Sequence, residues 1–192
     1  MIHVILPADS GRCSAVLDIR VLDERGRELP AHERGELQIR GVSIIQGYWD
    51  RDEANAETFD GEWLRTGDVA YLDDEGYLYI VDRIKDLVIR GGENIGCAEV
   101  EAGLLSHPDV LEASVYAVPD ERLGEEVGAT LYCQNIIDAD ELRAFLLEHI
   151  ARFKIPRYLE FSAEPLPRIA SGKIDKRRLR EAFVGAFASR KS

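Results

Sequence analysis

Over residues 1–82 the apolar positions recur in short runs with a period near two, separated by glycine and acidic residues. Val16-Leu17-Asp18-Ile19-Arg20-Val21-Leu22 reads as one strand, and Asp23-Glu24-Arg25-Gly26 as the turn after it. Gly35-Glu36-Leu37-Gln38-Ile39-Arg40-Gly41 alternates apolar and polar residues as a half-buried strand should. Residues 53–59 predict one short helix. Residues 69–71 and 76–81 flank Asp73-Asp74-Glu75, a hairpin pattern. Short strands with glycine turns predict a small β-rich subdomain.

From residue 83 the pattern becomes mixed. Residues 86–90 and 93–95 flank Gly91-Gly92 and predict a tight two-stranded ribbon. Residues 97–106 carry Val100 and Leu104 at helical spacing and stop before His107-Pro108. Residues 110–118 and 127–133 read as strands. Asp138 is placed to cap a helix running to about Ala151, with Leu142, Phe145, Leu146 and Ile150 inward. A short strand at 158–161 and a helix at 175–187 complete the chain. The expected class is α+β: a β-rich subdomain over 1–82, then a compact α+β domain over 83–192 with a three-stranded sheet and helices.

At 45% hydrophobic and 31% charged in 192 residues, the composition is that of a globular protein with a core. A net charge of −12 argues against nucleic acid and anionic membranes as partners. No apolar run approaches the roughly 20 residues of a membrane span. Met1 to Pro7 lack the basic start and long apolar core of a secretory leader. Three widely spaced cysteines (Cys13, Cys97, Cys133) suit a reducing cytoplasm, and His3, His32, His107 and His149 have no metal-ligand spacing. Residues 168–192 hold eight basic side chains against Asp175 and Glu181, a net +6, which leaves −18 on the remaining 167. That basic end fits either an anionic ligand or a solvated helix face.

Four segments can carry chemistry. Pro167-Arg168-Ile169-Ala170-Ser171-Gly172-Lys173 is not a phosphate-binding P-loop, because Pro167 and Ile174 replace the required glycine and hydroxyl residues. It is a stiff start, a flexible Ser-Gly pair and one cation just before a helix; alone, it also fits an ordinary surface lysine. In Arg65-Thr66-Gly67-Asp68 the carboxylate at a strand entrance can accept two hydrogen bonds from a ribose diol, or merely satisfy turn amides. Asp82-Arg83-Ile84-Lys85-Asp86 is a charged segment between apolar strands. Gly91-Gly92 either lets a thin ligand pass the backbone or only makes a turn.

Taken in order, these segments closely resemble the C-terminal part of the AMP-forming acyl-CoA synthetases, of the adenylate-forming superfamily. The blocks are Gly41…Gly47-Tyr48-Trp49, Trp63-Leu64-Arg65-Thr66-Gly67-Asp68, Gly76 to Arg83, Lys85 to Ile95, Glu99-Val100-Glu101 and Pro167…Gly172-Lys173. They cover the chain from about Ser10 to Phe183.

The resemblance implies activation of a small-molecule carboxylic acid by ATP and Mg²⁺, then transfer of the acyl group to coenzyme A. On that pattern Asp68 binds the ribose hydroxyls of ATP and Arg83 assists at the ribose or phosphate. Lys173 is the catalytic cation on the carboxylate and α-phosphate oxygens. Lys85 is the hinge about which the C-terminal lid domain turns between half-reactions. Gly91 and Gly92 line the coenzyme A passage. Gly-Gly-Glu-Asn-Ile fits acyl-CoA synthetases better than carrier-loading adenylation domains, although Gly96 and Cys97 depart from the family pattern. No Ser/Thr/Gly-rich loop ending in Pro-Lys and no Tyr-Gly-x-Thr-Glu segment is found. In the family these lie in a large N-terminal domain with the Mg²⁺ site and the acyl pocket. The expectation is therefore a C-terminal fragment with at most half an active site, its residues 1–82 being the last β-subdomain of the N-terminal domain. Self-association is expected through apolar surface that the missing domain would cover. A non-catalytic lid that pairs with another polypeptide, and a carrier-loading enzyme, are the alternatives.

Overall fold

The structure, a computed structural model, describes residues 11–191, with side chains as far as 187. The leader reading of Met1 to Pro7, His3, and the side chains of Arg190 and Lys191 lie outside the described residues. The chain forms two compact units, one ending at Lys85 and the next beginning at Asp86.

The first unit is an antiparallel sheet. Its strands are β1 (Gly11–Arg12), β2 (Leu17–Leu22), β3 (Gly35–Gly41), β4 (Phe59–Asp60), β5 (Trp63–Leu72) and β6 (Tyr77–Arg83), and helix α1 (Asp52–Thr58) precedes β4. The order is β1-β6-β5-β3-β2, with β4 paired to β5. Aspartates make its turns. Asp73 Oδ1 accepts from the amides of Glu75 and Tyr77 at 3.0 and 2.8 Å, and Gly76 takes the left-handed conformation at φ +79°. Gln38, polar by alternation, is nonetheless only 2% exposed. Its Oε1 accepts from Arg20 at 2.7 Å, while Arg20 and Arg40 lie over the Trp63 ring at 4.3 and 4.6 Å from its centroid. The aromatic ring and the two stems cover the face that alternation would leave wet.

The second unit is mixed. It contains β7 (Leu87–Arg90), β8 (Glu93–Gly96), α2 (Cys97–Leu105), β9 (Val110–Asp120), β10 (Gly124–Cys133), α3 (Ala139–Leu146), β11 (Tyr158–Ser162) and α4 (Lys176–Lys191). Strand β10 is central, antiparallel to β9 and parallel to β11. These are the three strands expected from sequence. The β7–β8 ribbon joins β10 through the Gly124–Arg90 pairing and brings the sheet to five.

Both faces of this sheet are covered. On one, Val100 and Leu104 of α2 and Leu142 and Leu146 of α3 pack on Val115, Val127, Ala129 and Leu131. On the other, Tyr116, Val118 and Leu166 meet Leu179, Phe183 and Phe187 of α4. That two-sided burial explains why β9 carries consecutive apolar residues at 115–118 rather than an alternation. Asp138 caps α3 as expected, accepting from the amides of Asp140 and Glu141 at 2.9 and 3.1 Å. The helix ends at Leu146 rather than near Ala151. His149 Nδ1 donates to the Phe145 carbonyl at 2.8 Å, and the Glu148 amide reaches the same oxygen at 3.2 Å, so the chain tightens into turns.

The Ser114 hydroxyl on β9 is fully buried and makes no hydrogen bond among the described residues. Ser114→Ala is expected to raise the unfolding free energy by about 1 kcal/mol, since it removes a desolvated group with no partner. Urea denaturation checks this, and a loss of stability would mean that the hydroxyl is satisfied.

Candidate active-site elements

In the first unit, β5 kinks at Gly67, which sits at φ +70°. Thr66 Oγ1 latches the kink by donating to the Leu37 carbonyl at 2.8 Å and accepting from the Asp68 amide at 3.1 Å. Asp68 then pairs across the sheet with Arg83 on β6, and Arg83 Nε lies 3.2 Å from Asp68 Oδ1. The carboxylate is 21% exposed and the guanidinium 57%. This is an acceptor-only group beside a cation at the end of β6, a pair that suits a diol next to a phosphate. Lys85 is exposed in the 3-10 turn Ile84–Asp86, inside which the chain passes from one unit to the next.

Segment 42–49 of this unit holds apolar side chains in solvent. Val42 is 89% exposed and Trp49 96%, while Asn55 fixes the Tyr48 backbone from both sides at 2.7 and 2.9 Å. Apolar chains on an anchored loop form a patch of the kind that other surfaces cover.

In the second unit, Gly91 and Gly92 form the two-residue turn of the β7–β8 ribbon, with φ of +59° and +92°. Both values are left-handed, as a type I′ turn requires. A Cβ on Gly91 would meet Leu123 Cδ2 at 3.1 Å, whereas Gly92 faces open space. The turn end of the ribbon is held ionically. Arg90 Nε donates at 2.6 Å to Glu126, which is 1% exposed, and Arg157 reaches the other carboxylate oxygen at 3.3 Å.

Lys173 follows the tip of a small hairpin. Arg168 and Ile174 bridge its base. The Gly172 amide donates to the Ile169 carbonyl and the Ile169 amide to the Lys173 carbonyl, both at 2.9 Å, with Gly172 at φ +85°. The Lys173 side chain is exposed. Glu112 of β9 accepts from the Leu166 amide at 2.6 Å and from the Arg168 guanidinium. Burial pushes the Glu112 carboxyl up, but those two donors outweigh it and hold the group below its ordinary value. Beyond the hairpin, Asp175 accepts from the Arg178 amide at 3.1 Å in the first turn of α4. Lys176 Nζ lies 3.0 Å from Glu101 of α2. Burial alone would lower the Lys176 ammonium; Glu101, with Cys97 and Asp86 adding, raises it instead.

Residues 99–173 match the AMP-binding enzyme C-terminal domain. That stretch is an AMP-binding enzyme C-terminal domain. It is 44% identical over 171 residues to a 2-succinylbenzoate–CoA ligase of Bacillus velezensis, covering 89% of this chain and 35% of the relative. An oxalate–CoA ligase of Arabidopsis thaliana is 38% identical over 169 residues, covering 87% and 33%. Among solved structures, the o-succinylbenzoate CoA synthetase of Bacillus subtilis with its acyl-adenylate intermediate aligns with TM-score 0.83 and 38% identity, over 90% of this chain and 35% of that one. The amide bond synthetase McbA of Marinactinospora thermotolerans aligns with TM-score 0.82 and 35% identity, over 91% and 36%. The chain thus spans about a third of the length of the relatives it matches.

Lys173 is the last residue of the matched C-terminal domain stretch; Asp68, Arg83, Lys85, Gly91 and Gly92 precede it. Asp68 and Arg83 are in contact, and the two glycines share one turn. In the C-terminal domain the ribbon is held on β10 and the lysine hairpin on β9. Sequence reasoning missed Glu112, Glu126 and the Glu101–Lys176 pair. A signal was present for Glu126, which stands directly before Val127 at the start of the strand read over 127–133. Among the described residues no group of three or more His, Cys, Asp or Glu could hold a metal ion, and no helix is long and apolar enough to cross a membrane.

Proposed function

We propose that this chain supplies the ribose contact, the hinge, the catalytic cation and the thiol passage of an AMP-forming acid–thiol ligase. The observation that carries the reading is one exposed ammonium, Lys173, on a hydrogen-bonded hairpin of the C-terminal domain, with a glycine-turned ribbon on the same domain. The reaction is carboxylate plus ATP to acyl-adenylate and pyrophosphate, then acyl-adenylate plus coenzyme A to acyl-CoA thioester and AMP. Asp68 accepts from the ribose hydroxyls, and Arg83 holds Asp68 in place while adding positive charge near the phosphate. Lys173 stabilises the charge that develops on the α-phosphate and carboxylate oxygens. Lys85, in an exposed turn, absorbs the backbone rotation that exchanges Lys173 for the Gly91-Gly92 ribbon. Open space at Gly92 suits a passage for a thin pantetheine arm. Mg²⁺, the phosphate loop and the acid pocket belong to a large domain, against which the Val42–Trp49 loop packs or, without it, a second copy. The cysteines, with no disulfide among them, fit a cytoplasmic setting.

The acid is not chosen by this third of the molecule. Relatives named for 2-succinylbenzoate and for oxalate are comparably identical to it, at 44% and 38%. Acid choice therefore resides elsewhere. The McbA likeness supports a second reading in which an amine, not a thiol, accepts the acyl group.

Carboxylate-dependent ATP–pyrophosphate exchange by the 192-residue chain tests the division of labour. No exchange is expected with short, long or aromatic acids. Robust exchange, lost in Lys173→Ala, would mean that these residues form a complete site. With a large domain supplied, thioester against amide product separates the two acceptor readings.

A further inference from the structure

The lysine hairpin is tied to the sheet by Ile174 at its base, which packs on the cluster under α4, and ionically by Arg168, which is 48% exposed. Its Nη1 donates across the hairpin to the Gly172 carbonyl at 2.7 Å, one residue before Lys173. Its Nη2 donates to Glu112 Oε1, while Glu112 Oε2 takes the Leu166 amide at 2.6 Å. Leu166 is itself 2% exposed, within the cluster under α4. The tip of the loop is thus connected to strand β9 through two charge-assisted bonds and one guanidinium. A planar fork can hold both at once; a point charge such as lysine can hold one.

We propose that Arg168, seated on Glu112, is the positioning residue for Lys173, fixing the hairpin so that the ammonium arrives in one place. The proposal rests on the reading of Lys173 given above. It does not require Arg168 to touch any substrate. Beyond the hairpin, the Glu101–Lys176 pair fixes α4, so the segment is held on both sides of Lys173. Without Arg168 the hairpin keeps its own backbone bonds and the Ile174 packing at its base but loses the ionic tie that reaches Gly172, and misplacement of a reacting group on the order of 1 Å can cost up to about a hundredfold in rate.

Two measurements test it. On the 192-residue chain, hydrogen exchange at the Ile169 and Gly172 amides is expected to accelerate at least tenfold in Arg168→Ala, with Val127 and Leu131 unchanged. Unaltered protection at the hairpin would overturn the proposal. In the enzyme completed with its large domain, Arg168→Ala is expected to slow adenylate formation on the order of tenfold. Thioester formation from preformed acyl-adenylate stays within twofold, and Arg168→Lys recovers only part of the loss. A merely structural defect would slow both half-reactions equally, and that outcome would also overturn it. Lys173→Ala run in parallel separates the two ideas: if it leaves adenylation intact, the reading of Lys173 fails, and the exchange experiment still decides whether Arg168 orders the hairpin.

Discussion

Lys173→Ala in the completed enzyme is expected to lower the rate of adenylate formation on the order of 10²–10³-fold, the range for removing one preorganised charge from a dry site. The thioester half-reaction, started from synthetic acyl-adenylate, is expected to change by less than twofold. The asymmetry follows from the architecture. Lys173 sits on a hairpin rooted on β9, and the Gly91-Gly92 turn sits on a ribbon held on β10 through Glu126. A loss confined to the first half-reaction requires the ammonium to act only there. Lys173→Arg keeps the charge but spreads it over a fork, and is expected to recover little. Folding gives no confounding signal, because Lys173 is exposed and its side chain supports no core residue. Equal losses in both half-reactions would make Lys173 a general support, and no loss would remove it from the chemistry.

What was legible in the sequence was local. Asp138 capping α3, the Asp73 hairpin and the double-glycine turn each depend on residues within four positions of one another, and the structure has all three. The ionic ties were not legible, because their partners are distant. Arg90 and Glu126 are 36 residues apart, and Glu112 and Arg168 are 56 apart. No periodicity marks such pairs. The early end of α3 escaped for a different reason: a histidine ring takes the carbonyl that the next helical turn would use. Gln38 escaped because alternation describes one covered face and cannot foresee Trp63 lying over the other between two arginines. The roles proposed for Asp68 and Lys173 rest on resemblance, since an aspartate after Thr-Gly and a lysine after Ser-Gly are ordinary surface residues when read singly.

Tyr116 should set an alkaline limit on the C-terminal domain. It is 2% exposed on β9, with its hydroxyl 2.7 Å from Thr130 Oγ1, and Thr130 donates on to Glu160 at 3.3 Å. Burial pushes the phenol up to about 12, the Thr130 bond opposing and the Glu160 carboxylate adding. The ionised form is therefore disfavoured in the fold and not in the unfolded chain. Above pH 10 the unfolded state releases this proton while the native state keeps it, so stability falls as pH rises, by roughly 2–3 kcal/mol once pH reaches about 12. Tyr116→Phe removes that slope. At pH 7 the variant loses one buried hydrogen bond and is expected to be less stable by about 1 kcal/mol. The two stability curves should therefore cross above pH 10, with the variant more stable by pH 12. The raised Lys176 ammonium contributes stability below its ordinary value near 10.5 that is likewise lost as pH rises, but both proteins carry it, so the difference isolates Tyr116. Urea denaturation at pH 7 and at steps between 10 and 12 reads the crossing. Parallel curves would mean that the phenolate is tolerated beneath α4, and that the aromatic packing there admits water.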